Sequence, residues 1–209
     1  FVDGLKERGY EVGKNVKLDQ QNAQADQSNL QNIVQRFVSD KVDLICAIAT
    51  PSVQSAANVT KEIPIVGTAV TDYVSAKVAQ SNEKPGGNVT GTSDLSPIAD
   101  QIDLLMKLYP NAKTIGTIYS SSEINSEIQV KAMTEYAQSK GLTVRTATIS
   151  TVNDIQQAAQ SMVNDVDVFY EPTDNVIASA IPTLTSITDP AGKGVICGYV
   201  GGVTAGALA

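Results

Sequence analysis

The chain has 209 residues, enough for one large α/β domain or two lobes of about 100 residues, and its 42% hydrophobic and 18% charged content is that of ordinary globular protein. Its net charge of −7, with no basic stripe, gives neither a counterion-release footprint for nucleic acid nor a polybasic segment for anionic lipid, so no nucleic acid is expected as a partner. The absence of histidine removes Ser-His-Asp and Cys-His nucleophile pairs and most histidine-containing zinc sites, so no cofactor or metal is expected and an enzyme is disfavoured.

Phe1-Val-Asp-Gly-Leu-Lys-Glu-Arg-Gly9 has the pattern of the middle of an amphipathic helix, so a processed or trimmed N-terminus is expected, from which an export signal could have been removed. Val16-Lys-Leu18 reads as a short strand. Asp26 then opens a helix in which Leu30, Ile33, Val34, Phe37 and Val38 recur at the spacing of one helical face. A buried strand over 42–48, a helix from Thr50 and a strand over 63–70 give a βαβα rhythm, which implies a parallel sheet. Cys46 and Cys197 each lie in an apolar strand-like run and read as small buried hydrophobes. The segment 82–94, with Lys84-Pro-Gly-Gly-Asn88, is rich in turn formers and reads as the passage between lobes; Pro85-Gly-Gly87 lacks the lysine and spacing of a phosphate loop. The rhythm then repeats: helix 96–108, strand 114–119, helix 124–139, strand 142–149, helix 152–163, strand 166–170, helix 174–188 and strand 194–198. Two α/β units in tandem account for this, one over 1–94 and one over 95–199. No apolar run approaches the roughly 20 residues of a membrane span.

In both units an apolar strand ends in small or hydroxyl residues and a helix begins at once: Ala47-Ile-Ala-Thr50-Pro-Ser52, Ile118-Tyr-Ser-Ser-Ser122-Glu-Ile-Asn125 and Phe169-Tyr-Glu-Pro-Thr173-Asp-Asn175. In open parallel sheets, ligands bind beyond the carboxyl ends of the strands, where helix N-termini present free N–H groups and partial positive charge. Thr50, Ser122, Thr173 and Asp174 can serve as helix caps there, and capping is compatible with ligand contact. Asn58-Val-Thr60 and Asn88-Val-Thr90 match a glycosylation acceptor pattern, and neither is assigned a role.

Taken together, Thr50-Pro-Ser-Val-Gln-Ser-Ala, Ile63-Pro-Ile-Val-Gly-Thr-Ala-Val-Thr-Asp72, Lys84-Pro-Gly-Gly-Asn-Val-Thr-Gly-Thr-Ser-Asp94, Tyr119-Ser-Ser-Ser-Glu-Ile-Asn-Ser126 and Pro172-Thr-Asp-Asn175 resemble the ABC-transporter substrate-binding family that includes the TrpX-type aromatic amino-acid receptors. The resemblance runs along essentially the whole chain. It implies a type I periplasmic-binding-protein fold, with two Rossmann-like lobes and three crossings between them. It also implies that this chain is a fragment, lacking the first strand and the last part of the N-terminal lobe, with residues 200–209 starting the return to that lobe. Exposed strand edges on the incomplete lobe would then favour self-association.

Carried over position by position, the resemblance lines the cleft with Thr50, Ser52, Thr71 and Asp72 from the first lobe, and with Ser122, Asn125, Thr173, Asp174 and Asn175 from the second. Ser122 and Asn125 suit a ligand carboxylate, while Asp72 and Asp174 are candidates for an ammonium. Many relatives follow the last second-lobe strand with an acidic run where this chain has Gly198-Tyr-Val-Gly-Gly202; Tyr199 is expected to pack against the ligand instead. The implied function is the extracytoplasmic component of an ABC importer, periplasmic or lipid-anchored, which binds an amino acid, preferably aromatic, and delivers it to the membrane permease. A regulator or signalling receptor with the same fold, or a sugar importer component, is the alternative; zero tryptophan and three phenylalanines count against the sugar.

Overall fold

A computed structural model describes residues 1–209. The chain runs α1 (Val2–Glu7), α2 (Gln27–Ser39), β1 (Ile45–Ile48), α3 (Thr50–Val59), β2 (Ile65–Val70) and β3 (Val89–Ser93), then α4 (Ile98–Leu108), β4 (Thr114–Ser120), α5 (Ile124–Ser139) and β5 (Thr143–Ile149). It ends with α6 (Ile155–Met162), β6 (Val168–Glu171), α7 (Asn175–Ala178), α8 (Ile181–Thr188), β7 (Val195–Cys197) and α9 (Val200–Thr204). The strands form two separate sheets, β1-β2-β3 and β5-β4-β6-β7, in which every pairing is parallel. Parallel neighbours need crossover helices, and the helices between them bury both faces of the second sheet.

In the first lobe α2 presents Leu30 and Val34 to the sheet, and Val53, Ala56 and Ala57 of α3 meet Ile45, Ile65 and Val89. The second lobe has a core on each face of its sheet. Phe169, Val195 and Cys197 pack with Ile155, Ile177, Ile181 and Leu184, while Val168, Tyr170 and Ile196 pack with Ile102, Leu105, Val130 and Met133. The alternation Val168, Phe169, Tyr170 thus sends successive side chains to opposite cores, as a strand's period of two requires.

The structure departs from the sequence pattern at four places. Val16-Lys-Leu18 forms no strand; a single bridge joins Val12 to Val16 inside a tight loop that Asn15 braces by accepting from Glu11 N–H at 2.7 Å. Segment 82–94 is only partly a passage, because β3 pairs with β2 as the third strand of the first sheet and the crossing falls at 94–97. The helix expected over 152–163 starts as a 3-10 turn, Val152–Asp154, closed by a capping box between Thr151 and Asp154. The helix expected over 174–188 is broken at Ser179 and Ala180, since Pro182, inside the first turn of α8, has no N–H with which to continue α7.

Residues 200–209, from which a return to the first lobe is expected, are still packed on the second: Ala207 joins its core, and Leu208 N–H and the Ala209 carbonyl bond to Val195 and Cys197 at 2.9 and 2.6 Å. On the other lobe β1 is an edge strand, with β2 on one side only and Ile48 62% exposed. No helix is long and apolar enough to cross a membrane.

Candidate functional site

The carboxyl ends of the strands in both sheets face a cleft between the lobes, and two cavities open there. The smaller, of roughly 180 Å³, is lined by Ala69, Thr71 and Asp94 on one side and by Asn125, Thr173, Asp174, Asn175, Ala178 and Tyr199 on the other. The larger, of roughly 390 Å³, runs between α2, the outer edge of β1 and the start of α3, and reaches the second lobe at Ser122, Glu123, Asn175 and Val176. No lysine or arginine lines either cavity.

Six of the ten residues singled out in the sequence, Thr71, Asn125, Thr173, Asp174, Asn175 and Tyr199, meet in the smaller cavity. Ser52 and Ser122 lie on the larger one, where Asn175 also takes part. Thr50 and Asp72 line neither. Thr50 is buried, with its hydroxyl unpartnered, in the first turn of α3. Asp72 caps the turn after β2, its carboxylate accepting from Ser75 N–H at 2.6 Å; hydrogen bonds from Ser75 hold that carboxyl below the usual range. The chain enters these turns through unusual backbone. Ala49 and Ala69, at the ends of β1 and β2, have φ of +75° and +53°, conformations that side-chain-bearing residues seldom adopt and that cluster at functional sites.

Asp174 is the brace of the second-lobe wall. One carboxylate oxygen caps α7 by accepting from Ile177 N–H at 2.9 Å; the other accepts from Ser120 N–H and the Ser126 hydroxyl, each at 2.7 Å. This ties the ends of β4 and α5 to the turn after β6. Beside it Glu123, buried, accepts from the Asn125 amide at 2.9 Å and from the Asn175 backbone and side chain at 3.1 and 2.8 Å. Burial, and then the charge of Asp174, push the Glu123 carboxyl up despite these bonds.

Asn125 has spent its donors: its amide nitrogen gives to Glu123 and to the Thr173 carbonyl, both at 2.9 Å. Its side-chain oxygen is buried, unpartnered and part of a residue lining the cavity. Since both its amide partners are acceptors, the amide cannot be flipped without facing oxygen to oxygen. Its free group is therefore an acceptor, suited to a ligand's N–H rather than to a carboxylate.

Gln129, one helical turn beyond Asn125, joins the two walls. Its amide nitrogen donates to Thr71 of the first lobe at 3.3 Å and to the Thr173 hydroxyl, and its oxygen accepts from Thr173 N–H at 3.2 Å. Glu171, at the end of β6, is fully buried with neither carboxylate oxygen hydrogen-bonded; the Ile118 N–H favours the charged form without completing a bond. Burial first and Asp174 second push its carboxyl well up. Cys197 and Tyr199 stand near it, the thiol pushed up to about 12 by burial and the Tyr199 hydroxyl buried and unpartnered. Sequence reasoning missed Glu123, Gln129 and Glu171. For Gln129 a signal was available, since positions i and i+4 share a helical face with Asn125.

Comparison with known proteins gives a consistent picture. The profile of the family described as ABC transporter substrate binding protein matches residues 1–209. A tyrosine-binding protein of Clostridioides difficile (strain R20291) is 47% identical over 209 residues, which are all of this chain and 61% of that relative's length. The solved structure of an ABC domain in complex with L-Trp from Streptococcus pneumonia is 40% identical, with 99% of this chain and 70% of that one covered and a TM-score of 0.95. The ligand-free, open structure of a substrate-binding protein with adhesive properties from Clostridium difficile is 45% identical over 97% of this chain and 68% of that one, yet its TM-score is 0.62. More distant solute-binding proteins share the fold alone, which is the type I periplasmic-binding-protein architecture.

Proposed function

Because the chain belongs to the ABC transporter substrate-binding protein family, we propose that it carries the solute cleft of an extracytoplasmic importer component, that its solute is an amino acid with an aromatic side chain preferred, and that it binds without chemistry. The observation that carries this reading is the small cavity in which side chains of both lobes converge, rich in oxygen acceptors and free of lysine and arginine. An amino acid's ammonium suits the unpartnered Asn125 oxygen, with the carboxylates of Asp94 and Asp174 on the same cavity. Tyr199 offers an amphipathic wall. The tyrosine-binding name of one relative and the L-Trp bound to another support the aromatic preference.

Closure of the lobes over solute is then the signal read by the membrane permease, the ligand acting through contacts it makes to both lobes at once. The open edge of β1 makes self-association a second expected contact. A thermal-shift and calorimetric screen of amino acids, short peptides and sugars tests the reading. Ligand at about 100 times its dissociation constant should stabilise by roughly 2.7 kcal/mol. Shifts with L-tyrosine or L-tryptophan support it, and shifts with sugars alone overturn it.

A further inference from the structure

We propose that Gln129 is a positioning residue which turns two threonine hydroxyls, one from each lobe, into paired donors for the solute's carboxylate and ties carboxylate recognition to lobe closure. The proposal rests on the amino-acid reading above. Gln129 is fully buried on α5, and its amide orientation is fixed at both ends: the oxygen accepts from Thr173 N–H at 3.2 Å, and the nitrogen donates to the Asn125 carbonyl at 3.2 Å. The same nitrogen is therefore the donor to the hydroxyl oxygens of Thr71 and Thr173. A hydroxyl has one proton and two lone pairs. The two amide protons are shared among three oxygens, and because an amide nitrogen accepts no hydrogen bond each threonine proton turns away from Gln129; with neither hydroxyl donating to a protein acceptor, both protons are left for the cavity that both residues line. A carboxylate accepts two such donors, and no lysine or arginine is there to do so.

Thr71 belongs to the first lobe and Gln129 to the second, so the pair of donors exists only when the lobes are together. The chain matches the L-Trp complex with a TM-score of 0.95 and the open, ligand-free relative with 0.62, although the latter is the more similar in sequence.

The test uses calorimetry on the full chain with L-tyrosine and with tyramine, which keeps the ring and the amine and lacks the carboxylate. Gln129→Met, which fills the same volume without hydrogen bonds, should weaken L-tyrosine binding about three- to tenfold, the range of one to two ordinary hydrogen bonds, and leave tyramine binding unchanged. Thr71→Val should do the same, and the double variant should lose less than the product of the two single losses. Equal losses for both ligands, an unchanged Gln129→Met, or independent effects of the two substitutions overturn the proposal while leaving the function reading intact. A parent chain that binds no amino acid overturns both. Should Gln129→Met not fold, Thr71→Val decides alone: unchanged discrimination between L-tyrosine and tyramine overturns it.

Discussion

A buried carboxyl group with neither an ion-pair partner nor a completed hydrogen bond is held in the fold by its neutral form. Glu171 is such a group, and its folded carboxyl lies well above the ordinary value because of burial and then Asp174. The folded chain therefore binds the proton more tightly than the unfolded one. This contribution to stability is fully present below the unfolded carboxyl range and is lost as pH rises through the folded value, with Glu123 adding in the same direction. Glu171→Gln keeps the shape and removes the titration. Its melting temperature should match the parent near pH 4.5 and exceed it increasingly towards pH 8, at roughly 2–4 °C per kcal/mol, as differential scanning fluorimetry across that range would read. A difference that does not grow with pH would show that Glu171 is ionised in the fold. Neither Glu171 nor Glu123 was legible in the sequence, because a glutamate ending a strand and one opening a helix look like solvated positions until the partner elements bury them. Asp174 and Asn175 were legible, since their cap pattern is local.

At the scale of elements, the parallel β2–β3 pair is set by backbone contact. Gly67 and Gly91 stand opposite each other, and a side chain at Gly91 would place its Cβ 2.1 Å from the Gly67 carbonyl oxygen and 2.2 Å from the Tyr73 hydroxyl. The Tyr73 ring fills the space the glycines leave, and its hydroxyl donates to the Thr92 carbonyl at 3.2 Å. Gly91→Ala should cost about 1–3 kcal/mol, the usual penalty of overpacking, seen as an earlier urea midpoint; an unchanged midpoint would mean that the strands part without strain. An element with sustained periodicity, such as α2 with Leu30, Ile33, Val34, Phe37 and Val38, was readable because its apolar spacing is a property of the chain itself. Val16-Lys-Leu18 was not, because three apolar-alternating residues form a strand only if a neighbour offers a ladder, and here the only pairing is the bridge to Val12. The break between α7 and α8 is marked in the chain by Pro182, while the apolar pattern runs on through it.

For the whole molecule, the two sheets differ in how they end. The second sheet is flanked at β7 by the chain's own last residues, which bond to Val195 and Cys197. The first is bare along β1, beside a groove whose walls are Leu30, Ile33, Val34 and Phe37 of α2. Unpaired N–H and C=O groups on an apolar edge are a template for another strand, and Leu44 and Ile48, 46% and 62% exposed, carry none of the charges that natural edges use to refuse one. The 209-residue chain should therefore associate with rising concentration in sedimentation velocity, and Ile48→Lys, which puts a charge on the edge without touching the residues that line the smaller cavity, should shift it towards monomer. A parent that remains monomeric at every concentration would mean that the edge is shielded in solution.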